Sequence, residues 1–327
     1  MYDLPSYCGG RAGADNGSSM IVDCYTHTWE CGDQLGRCKP SANPPPLPAQ
    51  TDRSDPLEAG RARHLAASEP VDTTIVLGFR SRHLEVDISN DQIAAYVGTH
   101  PERLIGFAGI DPSNPEEAMA ELQRARDELS MPGLVVSPAA QDFHPSNSRA
   151  MLVYALAAER GMPVLFSTGV HITAATKLEY ARPLLLDEVA RELPTLKIII
   201  AHMGYPWVQE TVVLLAKHPN VYAEISWLLH QPWQAYQAIL GAFQYGVADK
   251  LLFGSGFPNA AASYCIEALY SINHLVHGTN LPTIPREQLR GIVERDALAL
   301  LGIASRSGPS PPPQQPDAEP SPEYHER

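Results

Sequence analysis

Eight short runs of continuously apolar residues, each followed by a helical stretch, restrict the folds open to this chain more than any other feature. The runs are MIVDCY (20–25), TTIVLGF (73–79), LIGFAGI (104–110), GLVVS (133–137), PVLFS (163–167), KIIIAH (197–202), NVYAEIS (220–226) and KLLFG (250–254). They do not alternate between apolar and polar residues, which predicts strands covered by helices rather than half-solvated ones. Helical patterns at 55–69, 90–99, 115–129, 147–160, 179–192, 207–217, 232–246, 259–276 and 286–301 supply the crossovers. At Asn114-Pro115 an N-cap residue is followed by proline at the first helical position, a credible helix start. Strand and helix alternating eight times predict an α/β fold of the (β/α)8 TIM-barrel type, one domain over residues 20–303.

Composition agrees with a single barrel plus tails. At 327 residues, with 44% hydrophobic and 19% charged residues, the chain can bury a large core. Residues 1–19 are small, polar and Gly-rich, a flexible extension ending at Met20, which stands where an internal start would. Residues 304–327 are Pro-rich and apolar-poor, and read as a disordered tail. PSANPPPLPAQTD (40–52) reads as a long loop on one barrel face. A net charge of −13 with no Lys/Arg cluster argues against nucleic acid and anionic membranes as partners. No run approaches the ~18 apolar residues of a membrane helix, and residues 1–19 lack the apolar middle of a signal peptide. Five cysteines, an odd number, suit free thiols in the cytoplasm. Cys24, Cys31 and Cys38 match no Cys-x-x-Cys zinc pattern, so plain loop thiols are expected. The expected partners are a small-molecule ligand or substrate and other copies of the chain in a homo-oligomer.

In a barrel of this type the site is built at the C-terminal strand ends. Polar residues gather there: Asp23 to His27 after strand one, Arg80 to His83 after strand two, Asp111-Pro112, Ser137 with His144, Ser167 to His171, His202, Glu224 to Trp227, and Ser255-Gly256. Asp111-Pro112 reads as a turn and helix entry. His83, His144 and His230 read as surface loop histidines. Trp207, Trp227 and Phe257 are candidates for an aromatic lining, or for plain loop packing. Cys24, next to Tyr25 on a strand, is expected to face the other way.

The blocks IVDCYTHTW, RPLLLDEVARELPTLKIIIAHMGYPW, NVYAEIS and LLFGSGFPN, followed by IVERDALALLGI, resemble the amidohydrolase-related family of aminocarboxymuconate-semialdehyde decarboxylase, benzoate decarboxylases and hydrolases. The resemblance covers about residues 20–303. It implies a divalent metal, often zinc, bound by a His-x-His pair after strand one, a histidine on strand five and an aspartate on strand eight, with a strand-six histidine as general acid/base. Those positions fall on Tyr25, His27, Ser167, Gly256 and His202, so two of five keep the expected residue. The strand-four positions are held by Val135 and Ser137.

Catalytic zinc needs about three N, S or carboxylate ligands, which tyrosine, serine and glycine do not supply well. His27 and His202 are the metal candidates that remain, an incomplete set, and His202 is the catalytic candidate. Tyr25, Arg80, Ser167, His171, Glu224 and Trp227 are the substrate-binding candidates. Arg80 has the guanidinium to hold a carboxylate, while His171 and Glu224 are the residues from which a relocated metal centre would be built. Two main functions follow: a hydrolase or carboxy-lyase on a small organic acid with an altered or absent metal, or a catalytically inactive barrel that binds a small molecule. A third is a scaffold recruiting partners through the Pro-rich tail.

Overall fold

Each apolar run becomes one strand of a single ring, because side chains on both faces find an apolar neighbour. The computed structural model describes residues 20–38, 59–168 and 173–304. The N-terminal extension, the stretch 40–52, His171 and the tail beyond 304 lie outside these residues. The ring is formed by β1 (Val22–His27), β2 (Thr73–Leu77), β5 (Leu104–Gly109), β6 (Gly133–Val136), β7 (Val164–Phe166), β8 (Ile198–Ile200), β9 (Val221–Glu224) and β10 (Leu251–Leu252). Neighbouring strands in that order pair in parallel. The seam between β10 and β1 is bridged by Cys24 N donating to the Phe253 carbonyl (2.9 Å), Gly256 N to Tyr25 O (3.0 Å) and His27 N to Phe257 O (3.0 Å). The chain is therefore a single-domain (β/α)8 barrel, nearly closed.

Two apolar layers hold it. Inside the ring Ile75, Leu77, Ile105, Phe107, Val135, Leu165, Ile199 and Leu252 pack on one another. The outward side chains of the same strands, such as Val76, Val136, Phe166 and Ile200, pack under the helices. The covering helices are α1 (Arg61–Ala67), α2 (Asn90–Val97), α3 (Pro115–Asp127), α4 (Ser148–Glu159), α5 (Leu186–Glu192), α6 (Val208–Lys217), α7 (Pro232–Gln244), α8 (Ala262–Tyr270) and α9 (Arg286–Val293). α10 (Ala297–Leu301) closes the end away from the site, adding Ala297, Leu298 and Leu301 to the interior cluster. The α3 start is as predicted, with Asn114 Oδ1 accepting from Glu117 N (3.5 Å). No described helix is long and apolar enough to cross a membrane.

Several predicted boundaries move, each for a local reason. Strand two stops at Leu77, and Phe79–Ser81 becomes β3, paired antiparallel with β4 (Val86–Ile88) in a hairpin at the rim. The helix predicted at 179–192 splits at Pro183, whose ring forces Arg182 into extended backbone, so two 3-10 turns precede α5. The helix predicted at 286–301 breaks into α9 and α10, with Asp296 capping the second through Ala299 N (2.9 Å).

Candidate functional site

β1 carries more of the mouth than an ordinary strand because its register against β2 slips between Asp23 and Thr26. A slip of this kind adds a residue and re-aims side chains. Cys24 and Tyr25 both join the interior cluster, so the expectation that Cys24 faces away from Tyr25 is corrected. The hydroxyl of Thr26 donates to the Ile75 carbonyl (2.8 Å) and so accepts from His64 Nε2 (2.9 Å), while His64 Nδ1 accepts from the Tyr96 hydroxyl (2.7 Å). This buried imidazole fastens α1 to β1 and α2, and burial pushes its pKa down to about 4. Nothing in the sequence pattern singled it out, since a histidine inside a helical stretch looks like any other.

Tyr25 reaches across the barrel. β1 and β7 stand four places apart in a ring of eight, directly opposite each other. The Tyr25 hydroxyl lies 3.2 Å from Ser167 Oγ at the end of β7. The rings of His27 and His202 meet the phenol edge-on, with centroids 5.1 and 4.6 Å away. Four of the five positions singled out in sequence thus converge, with the phenol ring at their centre. Desolvation, partly offset by the Ser167 hydrogen bond, pushes the Tyr25 pKa far up, so the group is a neutral phenol. His27 Nδ1 faces the Leu77 carbonyl (3.2 Å), which makes that nitrogen the N–H.

His202 sits in a left-handed turn, with φ of 54°, 49° and 66° at His202, Met203 and Gly204. Non-glycine residues in this region cost about 1–3 kcal/mol each and persist where their surroundings impose them. Here the buried Glu224 carboxylate imposes it. Its Oε1 accepts from His202 N (2.6 Å) and its Oε2 from Ser226 N (2.6 Å). Gly254 leaves the room, since a β-carbon there would lie 2.5 Å from Glu224 Oε2. His202 Nδ1 lies 2.8 Å from Ser226 Oγ and 3.2 Å from Glu224 Oε1. Glu224, expected to contact substrate, is instead fully enclosed and acts on the His202 turn. Burial pushes its pKa up to about 7.

A second enclosed carboxylate, Asp23, was not foreseen as a site residue. Its Oδ1 accepts from Ser255 N (2.9 Å) and Tyr25 N (3.2 Å), tying β1 to the β10 end, while its Oδ2 has no hydrogen-bond partner. Desolvation raises its pKa to about 6. The Asp23 charge adds a smaller push to the burial that raises Glu224.

The remaining candidates lie elsewhere. Arg80, expected to hold a ligand carboxylate, lies on the β3–β4 hairpin in an ion pair with Asp87 (3.1 Å). Trp227, at φ 61°, packs its ring on Tyr205 (centroids 5.0 Å apart). Asp111 accepts from Arg82 N (2.9 Å) and Ser113 N (3.1 Å), as a turn residue does. His83 is a rim histidine on the Ala175 carbonyl. His230, expected at the surface, is instead buried and stacked on Tyr264 (5.8 Å).

These residues do not fit the divalent metal that the resemblance implies. The phenol and hydroxyl at two ligand positions bond to each other and Gly256 offers no side chain, which leaves the imidazoles of His27 and His202 as an incomplete set. Among the described residues no three His, Cys, Asp or Glu side chains form a metal-holding group.

A family model described as amidohydrolase matches residues 22–303. No curated protein matches the chain. Among solved structures, an uncharacterised TIM-barrel protein from Bordetella bronchiseptica is 23% identical with a TM-score of 0.63, over 86% of this chain and 99% of that one. A dihydroxybenzoic acid decarboxylase from Polaromonas, solved with bound manganese, is 17% identical with a TM-score of 0.61, over 87% and 97%. A probable 2-pyrone-4,6-dicarboxylic acid hydrolase from Acinetobacter baumannii is 15% identical with a TM-score of 0.58, over 86% and 99%. At these identities the likeness is one of fold. The match over residues 22–303, almost the whole described barrel, places this chain in the amidohydrolase family.

Proposed function

We propose that this barrel binds a small organic acid at its mouth and has given up the metal-assisted chemistry of its family. The observation that carries the reading is the Tyr25–Ser167 hydrogen bond (3.2 Å), made between two positions that the resemblance assigns to metal ligands. Two ligand positions satisfied by each other, with a third occupied by Gly256, leave His27 and His202 as an incomplete set. The dihydroxybenzoic acid and pyrone dicarboxylic acid named for the similar folds support a small ring-bearing acid as the ligand class. Neutral donors at Tyr25 and Ser167 suit a carboxylate or hydroxyl of such a ligand.

A second reading, proton-transfer catalysis by His202 without a metal, is favoured by the Glu224 and Ser226 contacts to that imidazole. One pair of measurements tests both. Metal content of protein purified without chelator is expected near zero per chain, and a ratio near one, with three protein ligands in a crystal, would overturn the metal-free reading. A decarboxylation, ester and lactone screen comparing wild type with His202→Gln then separates binding from catalysis. Turnover that His202→Gln abolishes establishes the second reading.

A further inference from the structure

The acceptors around one nitrogen of His202 decide where its proton sits. Nδ1 faces Ser226 Oγ (2.8 Å), the Ser226 carbonyl (3.3 Å) and Glu224 Oε1 (3.2 Å). A carbonyl and an ionised carboxylate only accept hydrogen bonds, so this surrounding requires hydrogen on Nδ1. The Ser226 hydroxyl, the nearest of the three at 2.8 Å, accepts from Nδ1. Both Glu224 oxygens are pinned by the backbone N–H groups of His202 and Ser226, so the carboxylate cannot swing away. The carboxylate, the hydroxyl and the imidazole form one enclosed group, at 0%, 0% and 2% exposure.

We infer that Glu224 and Ser226 are positioning residues that lock His202 in its Nδ1–H tautomer, so that Nε2 carries the lone pair and is the proton-accepting atom of the mouth. The ligand this favours is one that presents an acidic hydroxyl to Nε2, as a hydroxy-substituted or protonated organic acid does. In a proton transfer, the ligand O–H bond breaks and an Nε2–H bond forms. The imidazolium so made faces the Glu224 carboxylate, which compensates its charge. The left-handed backbone at His202 belongs to the same device, because it brings the His202 N–H and the imidazole onto one carboxylate.

The inference rests on the metal-free reading of the mouth, and its test is separate from that one. Nitrogen-15 NMR of histidine-labelled full-length protein at mildly alkaline pH, assigned by loss of one resonance set in His202→Gln, reports which ring nitrogen is protonated. The expected result is Nδ1 protonated and Nε2 bare in wild type, with Glu224→Gln moving the population toward the Nε2–H form. An Nε2–H tautomer in wild type overturns the inference, as does a folded Glu224→Gln with unchanged nitrogen shifts. Should Glu224→Gln fail to fold, the wild-type spectrum still decides whether the lock exists. Ser226→Ala then tests the hydroxyl, since Nδ1–H should persist with a displaced shift as it turns to Glu224 alone, and an undisplaced shift removes Ser226 from the group. A stoichiometric metal would defeat the metal-free reading without changing what the nitrogen shifts say.

Discussion

Tyr25 and Ser167 stand on opposite strands of the barrel, and their hydroxyl oxygens are 3.2 Å apart. The phenol therefore spans the mouth, and its ring lies against both His27 and His202. Replacing it should do more than delete one hydrogen bond. In the triple variant Tyr25→His, Ser167→His, Gly256→Asp the space held by the phenol opens and three donors face it. Gly256 has φ +76°, a region aspartate tolerates better than most residues, and a β-carbon there meets only ordinary contacts at 3.4 Å. The triple variant is expected to take up cobalt(II) or zinc near one per chain, read by metal analysis and the visible bands of cobalt, while Tyr25→Phe stays metal-free. Uptake by Tyr25→Phe alone would show that the wild-type frame already holds a metal site.

Asp23 is a carboxyl whose enclosure makes its charge costly. Its pKa in the folded protein is about 6 against an ordinary 3.8, so the folded state binds more proton than the unfolded chain between those values. The stabilisation from that proton is complete below the unfolded pKa and is lost as pH rises through about 6. Glu224, raised to about 7, acts in the same sense. His64 and His230, both lowered to about 4, act in the opposite one, losing stability as pH falls. Asp23→Asn removes one of the four contributions. Its stability relative to wild type should rise by about 1–3 kcal/mol between roughly pH 5 and pH 8, each pKa unit being worth about 1.4 kcal/mol. Urea denaturation at the two pH values measures it, and a pH-independent difference would show that Asp23 is ionised throughout.

The His64 imidazole is a joint rather than a reactive group. It links the Thr26 hydroxyl to the Tyr96 hydroxyl with no exposed surface, and the Phe257 ring packs against it. His64→Ala leaves a void and a buried Thr26 hydroxyl without its donor, so a loss of about 2–4 kcal/mol is expected in urea unfolding. The variant should also destabilise less on acidification from pH 6.5 toward 4, because the folded protein no longer encloses a base that resists protonation. An unchanged acid limb would mean that another group sets it.

How far the sequence spoke depends on what kind of fact was asked. The strands were legible because each is buried on both faces, and uninterrupted apolar runs such as LIGFAGI leave few other folds. Positions at strand ends were legible for the same reason, since the barrel determines where each strand must finish. Strand ends put Tyr25, Ser167 and His202 at the mouth among many others, and the family resemblance singled them out as one site. What stayed hidden depended on side-chain direction. Glu224 reads as a mouth carboxylate in a string of letters, yet its enclosure is decided by the backbone N–H groups of His202 and Ser226. Asp23 was hidden by the slip of β1, which no periodicity announces. His64 and Thr26 are 38 residues apart in sequence, and a single chain carries no trace of such a pair.

Gly204 closes the left-handed turn that holds His202, and two glycines with similar backbone separate conformational strain from crowding. Gly161 after α4 has φ +62°, and a β-carbon there would meet nothing within 4 Å. Gly161→Ala should therefore cost only the left-handed backbone term, about 1–2 kcal/mol. Gly204 has φ +66°, but its β-carbon would fall 2.1 Å from Pro183 Cγ and 2.5 Å from Thr211 Oγ1. Pro183 is rigid and Thr211 is buried in α6, so neither yields without moving the segment that carries His202. Gly204→Ala is expected to cost at least about 2 kcal/mol more than Gly161→Ala, the range typical of overpacking, and to displace the His202 ring resonances where Gly161→Ala leaves them in place. Equal costs in chemical denaturation would show that α6 and the Pro183 turn adjust freely, and that the turn around His202 is held by Glu224 alone.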